Sequence, residues 1–325
     1  MTRSTAATTA SGPSLLQLST ALAQTDPAAV QWLQRIYSAT QRLSYTGTFV
    51  YQHDDQVESS RITRMVDASG PVEKLEIMDG MPREIIRSRN QVVCYLPSIM
   101  TVKIDKQGAR HPFPLILPDQ LKDLAESYTV RKAGVERVAG YDCQVIVLEP
   151  KDTLRYGQTL CADLATGMLL KAKTFNDRHK MLETFAFTQL KIGGHIDREM
   201  LKSRFAADAK DWHVEDSDAV PADLTHAGWA VRSPPPGFRK VTEMTRTLNG
   251  ASGVGHIVFS DGLAAVSVFI EPVAAGNAAR QPGLSRQGAI NVFARRLENH
   301  WVTVVGETPA QSVKLIANTV EYRKP

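Results

Sequence analysis

Between Thr46 and Gly193 the chain is a succession of short β-rich runs, and no helix-length connection lies between most of them. The first six are "TGTFVYQ", "SSRITRMV", "VEKLEIM", "REIIRS", "QVVCYL" and "MTVKI", separated by "HDDQ", "DASGP", "DGMP" and "SRN". Gaps this short, rich in Asp, Gly, Asn and Pro, turn a strand back on itself, so sequential strands have to pair antiparallel. The pattern resumes with "GYDCQVIVLEP", "LRYGQTLCAD", "GMLLKAKTFN" and "MLETFAFTQLKIG", linked by "EPKDT", "LATG" and "NDRHK". A meander of about ten strands ending near Phe205 follows from this spacing.

Two segments break the β pattern. Asp26-Pro27 followed by "AAVQWLQRIYSATQRL" predicts a helix: Asp26 caps it, Pro27 fits the first turn, and Trp32, Leu33, Ile36, Tyr37 and Leu43 recur at helical spacing. In "HPFPLILPDQLKDLAESY", Pro112, Pro114 and Pro118 exclude a central strand. Phe113, Leu115, Ile116 and Leu117 are therefore expected in a loop or helical turn that crosses the sheet before a short helix beginning near Asp119.

Residues 206–223, "AADAKDWHVEDSDAVPAD", are rich in Asp and Ala without periodicity and read as a linker. Residues 224–325 read as a second, smaller unit. Its entry, "GWAVRSPPPGF", is stiffened by Pro234, Pro235 and Pro236. "GASGVG" reads as a flexible loop, and "GVGHIVFSDGLAAVSVFIEP" as a hairpin with Asp261-Gly262 in a two-residue turn. "INVFARRLENHWVTVVGE" is a further strand pair. "TPAQSVKLIANTV" is a helix with Thr308 as cap, Pro309 in its first turn, and Val313, Ile316 and Val320 on one face.

Lys and Arg number 38 against 34 Asp and Glu, a net charge of +4 spread along the chain. That is too diffuse for nucleic acid, though it suits an anionic head group or an acidic partner. No apolar run reaches the roughly 18 residues of a bilayer span. "SLLQLSTALAQ" ends in Ala21-Leu22-Ala23 with Arg3 upstream, so residues 1–25 read as a degraded secretion signal or a disordered tail.

Little in the sequence points to chemistry, and the expectation is a protein that is not an enzyme and holds no cofactor or metal. His53-Asp54-Asp55 falls at a hairpin tip, where polar residues belong in any case. No nucleophile elbow, phosphate loop or dinucleotide fingerprint is present. Glu73, Glu76 and Glu84 fall on adjacent strands and are expected on a wet face, paired with Arg61, Arg83 or Arg87. Cys94, Cys143 and Cys161 have no metal spacing and are expected as free thiols. A hairpin about Asp152 would bring Cys143 and Cys161 nearly opposite each other, which leaves a disulfide as the alternative.

A broad twisted sheet with a helix and a crossing segment can enclose an apolar pocket. The lipid-contacting candidates are Trp32, Ile36, Phe113, Leu115, Ile116, Leu117, Leu121 and Leu124, with Arg83, Arg87 and Arg89 at its mouth to meet phosphates. The same apolar side chains could simply fill the core.

Five stretches carry a resemblance to a known family: "MDGMPREIIRSRNQVVCYLP", "GYDCQVIVLEPKDTLRYGQTLCADLATGMLLK", "GW" with "PPGF", "FSDGLAAVSVFIEP" and "VVGETPAQSVKLIANTV". In this order, over nearly the whole chain after Asp26, they are similar to the RseB/MucB family of periplasmic regulators of sigma-E (AlgU in pseudomonads). The resemblance implies an α+β protein. Residues 26–205 would form an unclosed antiparallel barrel with helices, like the lipoprotein carriers LolA and LolB, followed by a smaller α+β C-terminal domain. It also implies a periplasmic location and binding of the periplasmic domain of the anti-sigma factor (RseA or MucA), shielding it from the site-1 protease, DegS or AlgW. Lipopolysaccharide or a lipid-like signal would end that protection.

Within that frame, Trp229, Phe238 and Trp301, with Phe259 and Phe269, are candidate exposed aromatic contacts for the anti-sigma factor, the alternative, strongest for Phe259 and Phe269, being packing in the small unit's own core. A change of inter-domain angle through the linker is the expected response to the signal, and a homo-oligomer stays open. The competing reading is a periplasmic lipid or lipoprotein carrier of LolA type.

Overall fold

The computed structural model describes residues 25–89, 91–106, 121–248, 250–273 and 281–324, with the side chains of 121–123 outside that description. Residues 1–24 and the proline-punctuated stretch holding Phe113, Leu115, Ile116 and Leu117 lie outside the described residues, as does the side chain of Leu121.

The first helix, α1 (Pro27–Arg42), begins as the capping pattern requires: Asp26 accepts a hydrogen bond from the Ala28 amide at 2.9 Å and Pro27 occupies the first turn. Six strands follow: β1 (Tyr45–His53), β2 (Gln56–Asp67), β3 (Gly70–Ile77), β4 (Arg83–Arg87), β5 (Val92–Leu96) and β6 (Thr101–Asp105). After the short helix α2 (Leu121–Ser127) come β7 (Tyr128–Val138), β8 (Tyr141–Pro150), β9 (Gly157–Asp163), β10 (Leu169–Phe175) and β11 (Met181–Ile192).

Each meander pairs in sequence, and β1 joins the two by pairing with β11 as well as β2. A further strand, β12 (His213–Asp216), adds to the β6 edge in parallel. The order is β12-β6-β5-β4-β3-β2-β1-β11-β10-β9-β8-β7, so the sheet ends at β12 and β7 without closing. This is the α+β architecture with an unclosed antiparallel sheet that the resemblance implies.

Helix α1 contributes Ala29, Leu33 and Ile36 to a core shared with Leu124, Tyr128, Val130, Ile146, Leu148, Leu160 and Leu169. Each such leucine or isoleucine contributes about 1.5–3 kcal/mol when fully buried. A second cluster gathers Tyr45, Phe49, Ile62, Phe185 and Phe187 around Cys143 and Cys161. Those two cysteines form a disulfide across β8 and β9, which overturns the expectation of free thiols. Strand register puts Val145 opposite Cys161, so the bridge joins diagonal neighbours within reach of each other.

The smaller unit contains β13 (Val220–Pro221), β14 (Trp229–Val231), β15 (Arg239–Leu248), β16 (Ala251–Ser260), β17 (Ala265–Pro272), β18 (Gly283–Gln287), β19 (Ile290–Leu297), β20 (His300–Gly306), α3 (Ala310–Asn318) and β21 (Val320–Tyr322). Its main sheet has the order β13-β15-β16-β17-β20-β19-β18, and β14 pairs with β21. Helix α3 packs Val313, Ile316 and Ala317 on Val266, Val268, Val302 and Val304.

Several local expectations change. Residues 206–223 are not a free linker, since they supply β12 to the large sheet and β13 to the small one. The stretch read as a flexible "GASGVG" loop enters β16 at Ala251. The β16–β17 turn spans four residues, because Ser260 pairs with Ala265. Helix α3 starts after Pro309, with no side-chain cap from Thr308.

Candidate functional site

The two sheet-bearing units meet through polar side chains that the sequence places far apart. On the loop after β8, Arg155 donates from Nε to Asp261 Oδ2 at 2.9 Å, and both side chains are buried. The Tyr128 hydroxyl donates to the same oxygen at 3.0 Å. Asp261 Oδ1 meanwhile accepts from the amides of Leu263 and Ala264, so one carboxylate both shapes the β16–β17 turn and receives the other unit. Burial, and next the Asp261 charge, raise the Tyr128 phenol well above its ordinary range, which keeps it a donor.

Arg155 also bonds Asp152 and the Pro236 carbonyl, and its guanidinium lies over the ring of Phe238. Gly237, at φ +80°, leaves room for it: a Cβ there would stand 2.8 Å from Arg155 Nη2 and 2.5 Å from Ser127 Oγ. A buried charge is tolerated only when such partners surround it. Leu263, next in the turn, packs into the α1 core.

Further polar contacts join the units. Asp54 at the β1–β2 tip accepts from the Gly288 amide at 2.9 Å and pairs with Arg286 at 3.4 Å. Asn291 donates to the Tyr156 hydroxyl at 2.9 Å, and Ser312 to the Leu154 carbonyl at 2.6 Å. At the β6 edge Arg246 pairs with Asp105 at 2.8 Å, while Ser217 donates to Ile104 O and accepts from the Thr247 amide. The segment expected to act as a hinge is thus hydrogen-bonded to both sides.

Arg246 also approaches His256 Nδ1 at 3.5 Å, and His256 Nε2 lies 3.1 Å from Ser267 Oγ. A guanidinium can only donate, so Nδ1 is the acceptor and Nε2 carries the proton toward Ser267. His256 therefore cannot take a proton from that serine, as a catalytic base would. Burial, assisted by Arg246 and opposed by Asp105, pulls His256 down to about 4. Among the described residues no group of three His, Cys, Asp or Glu could hold a metal ion.

Of the carboxylates expected on a wet face, Glu73 and Glu84 are buried and Glu76 is partly buried beside Lys74. Glu73 pairs with Arg64 at 2.9 Å and with Arg87 at 2.8 Å, and Glu84 is fully buried between Lys74 and Arg204. The expected Arg87–Glu73 pairing is present, but Arg64, Lys74 and Arg204 supply the rest. Arg87 is thereby committed to an internal partner, whereas Arg83 has no ion pair among the described residues.

Of the lipid-contacting candidates, Ile36 and Leu124 are completely buried in the α1 core. Trp32 packs at its margin beneath the Arg35 guanidinium, 4.0 Å from the ring centroid. One cleft of about 610 Å³ lies between Cys94, Lys103, His213, Glu215 and Arg246. Another of about 630 Å³ lies between Arg131, Leu148, Arg155, Phe175 and His179. Neither is lined by Trp32, Ile36 or Leu124. Most of the aromatic contact candidates are buried: Trp229 packs on His300 and Tyr322, Phe238 sits under Arg155, and Trp301 and Phe259 are internal, while Phe269 is half-buried and stacks on His256. Small units need their large aromatics for the core, and that need takes precedence here.

These features define a class: a two-unit α+β protein with an open antiparallel sheet, its halves joined by buried charge. The chain matches the MucB/RseB N-terminal domain over residues 28–205 and the MucB/RseB C-terminal domain over residues 223–321. It belongs to the MucB/RseB family.

It is 31% identical over 298 residues to the sigma factor AlgU regulatory protein MucB of Pseudomonas aeruginosa, covering 90% of each chain. It is 24% identical over 308 residues to the sigma-E factor regulatory protein RseB of Escherichia coli K12, covering 94% of each. Among solved structures it is similar to MucB in complex with MucA(peri), with a TM-score of 0.70, 28% identity, and 91% and 100% of the two chains covered.

Proposed function

We propose that this chain is a periplasmic, non-enzymatic regulator that binds the periplasmic domain of a MucA-type anti-sigma factor and protects it from site-1 proteolysis. The observation that carries this reading is the match to the family over both units, together with the likeness to a MucB chain solved with MucA(peri). The interlocked units support it, because a rigid body holds a flexible segment at lower entropic cost than one that must itself be ordered.

Release would follow from a lipid-like signal such as lipopolysaccharide that binds the coupled and uncoupled arrangements unequally. Its route runs through the buried inter-unit contacts rather than a loose linker, and Arg83 is the cation best placed to meet its phosphates. Calorimetric titration of the full chain with the anti-sigma factor's periplasmic domain tests the reading. Saturable binding weakened by lipopolysaccharide is expected. Absence of binding by the folded chain, with tight lipid binding retained, would favour a lipid carrier instead.

A further inference from the structure

The three most exposed large apolar side chains among the described residues are Met81 (78%), Met100 (65%) and Ile99 (61%), and they sit on two turns at one end of the large sheet. Met81 belongs to the β3–β4 turn, which also exposes Met78, while Ile99 and Met100 belong to the β5–β6 turn. Because β4 pairs with β5 and Glu84 lies opposite Tyr95, the turns are neighbours, roughly one strand spacing apart. They lie at the opposite end of β6 from Asp105, which holds the smaller unit through Arg246.

Scattered apolar side chains on a surface need no explanation, whereas a cluster of the most exposed ones does. The β5–β6 tip is fixed rather than loose. Met100 takes φ +45°, donates its amide to Pro97 O at 3.1 Å and accepts from the His213 amide at 2.9 Å, while Thr101 Oγ1 donates to Ile99 O. A methionine held in the left-handed region costs energy that an Asn or Gly would avoid.

The charges around the tips are arranged asymmetrically. Asp79 turns back to accept from the Ser59 amide at 2.6 Å, Glu76 pairs with Lys74, and Glu84 is fully buried. Arg83, two residues from Met81, has no ion pair among the described residues. The side chain of Arg204, which reaches Glu84, is more than half exposed. Asp79 is exposed but engaged by the Ser59 amide, Arg83 is half-buried and free of an ion pair among the described residues, and Arg204 holds Glu84 with its side chain still largely in solvent.

We propose that these paired tips dock on an anionic lipid surface, with Met78, Met81, Ile99 and Met100 entering the acyl boundary and Arg83 and Arg204 meeting phosphates. A convex tip of flexible thioethers suits a fluid interface, which needs no preformed complementary groove. The inference does not rest on the anti-sigma reading, because it is tested on the chain alone with vesicles.

The test is sedimentation of the full chain with phosphatidylglycerol–phosphatidylcholine vesicles, and with phosphatidylcholine alone, at low salt. Wild type is expected to sediment with the anionic vesicles and more weakly with the neutral ones. Met81→Asp/Ile99→Asp, whose positions are solvent-exposed, is expected to lose roughly tenfold in partitioning. Val135→Asp/Leu284→Asp, exposed elsewhere, is expected to behave as wild type. Sedimentation of the Met81/Ile99 variant equal to wild type would overturn the proposal. So would a wild type that stays in the supernatant, including one that elutes as a dimer which the Met81/Ile99 variant converts to monomer.

Discussion

Arg155 and Asp261, 106 positions apart in sequence, form a buried ion pair at 2.9 Å that ties the loop after β8 to the β16–β17 turn. Asp152 keeps a carboxylate on Arg155 when Asp261 is neutralised, so the loss is that of one charged hydrogen-bond acceptor shared by Arg155 and Tyr128, about 1–3 kcal/mol. Asp261→Asn is therefore expected to lower stability by that order in urea unfolding. In the surviving folded fraction, limited proteolysis should cut within residues 206–223 faster than in wild type.

The tip contact at Asp54 offers a milder test of the same coupling. Gly288 has φ +56°, and a Cβ there would stand 2.9 Å from His53 Cβ. Gly288→Ala is expected to cost about 1–2 kcal/mol from the backbone alone, plus displacement of His53. A thermal melt indistinguishable from wild type would contradict the packing described here.

His256 gives the fold a defined acid sensitivity. Its folded value of about 4 lies below the ordinary 6.5, so the folded protein resists the proton that the unfolded chain accepts. This contribution is fully present above pH 6.5 and is lost as pH falls toward 4, with a total on the order of 3 kcal/mol. His256→Gln should flatten the dependence of unfolding free energy on pH between 6.5 and 4, measured by urea titration at each pH.

The Cys143–Cys161 bridge closes a loop with a sequence separation of 18. Loop-closure entropy gives about 3 kcal/mol for a bridge of this length. Cys143→Ser/Cys161→Ser should lose that order of stability. Thiol titration of the unreduced, denatured wild type should find Cys94 alone, and in the folded protein burial, which raises that thiol, should slow its reaction.

Strands β1–β11 were legible because alternation and turn chemistry are local, and α1 because Asp26 and Pro27 mark its start. The features that were missed depend on distant partners. "HVED" has no apolar alternation and becomes β12 by pairing with the exposed β6 edge. Asp261-Gly262 has the composition of a two-residue turn, yet Asp261 is held by Tyr128 and Arg155 and the turn takes four residues. Glu73 and Glu84 looked like wet-face charges, and only the fold brings Arg64 and Lys74 to them. For Trp229, Phe238 and Trp301, composition alone could not separate a partner surface from a core. The family itself was legible in the ordered set of stretches running from Met78 to Val320.

Protection of the anti-sigma factor is the activity proposed for this chain. The direct measurement follows cleavage of its purified periplasmic domain by the site-1 protease, with and without stoichiometric full-length chain, and then with lipopolysaccharide added. The chain is expected to slow cleavage, and lipopolysaccharide to restore it. Cleavage at an unchanged rate in the presence of folded chain would contradict the proposal.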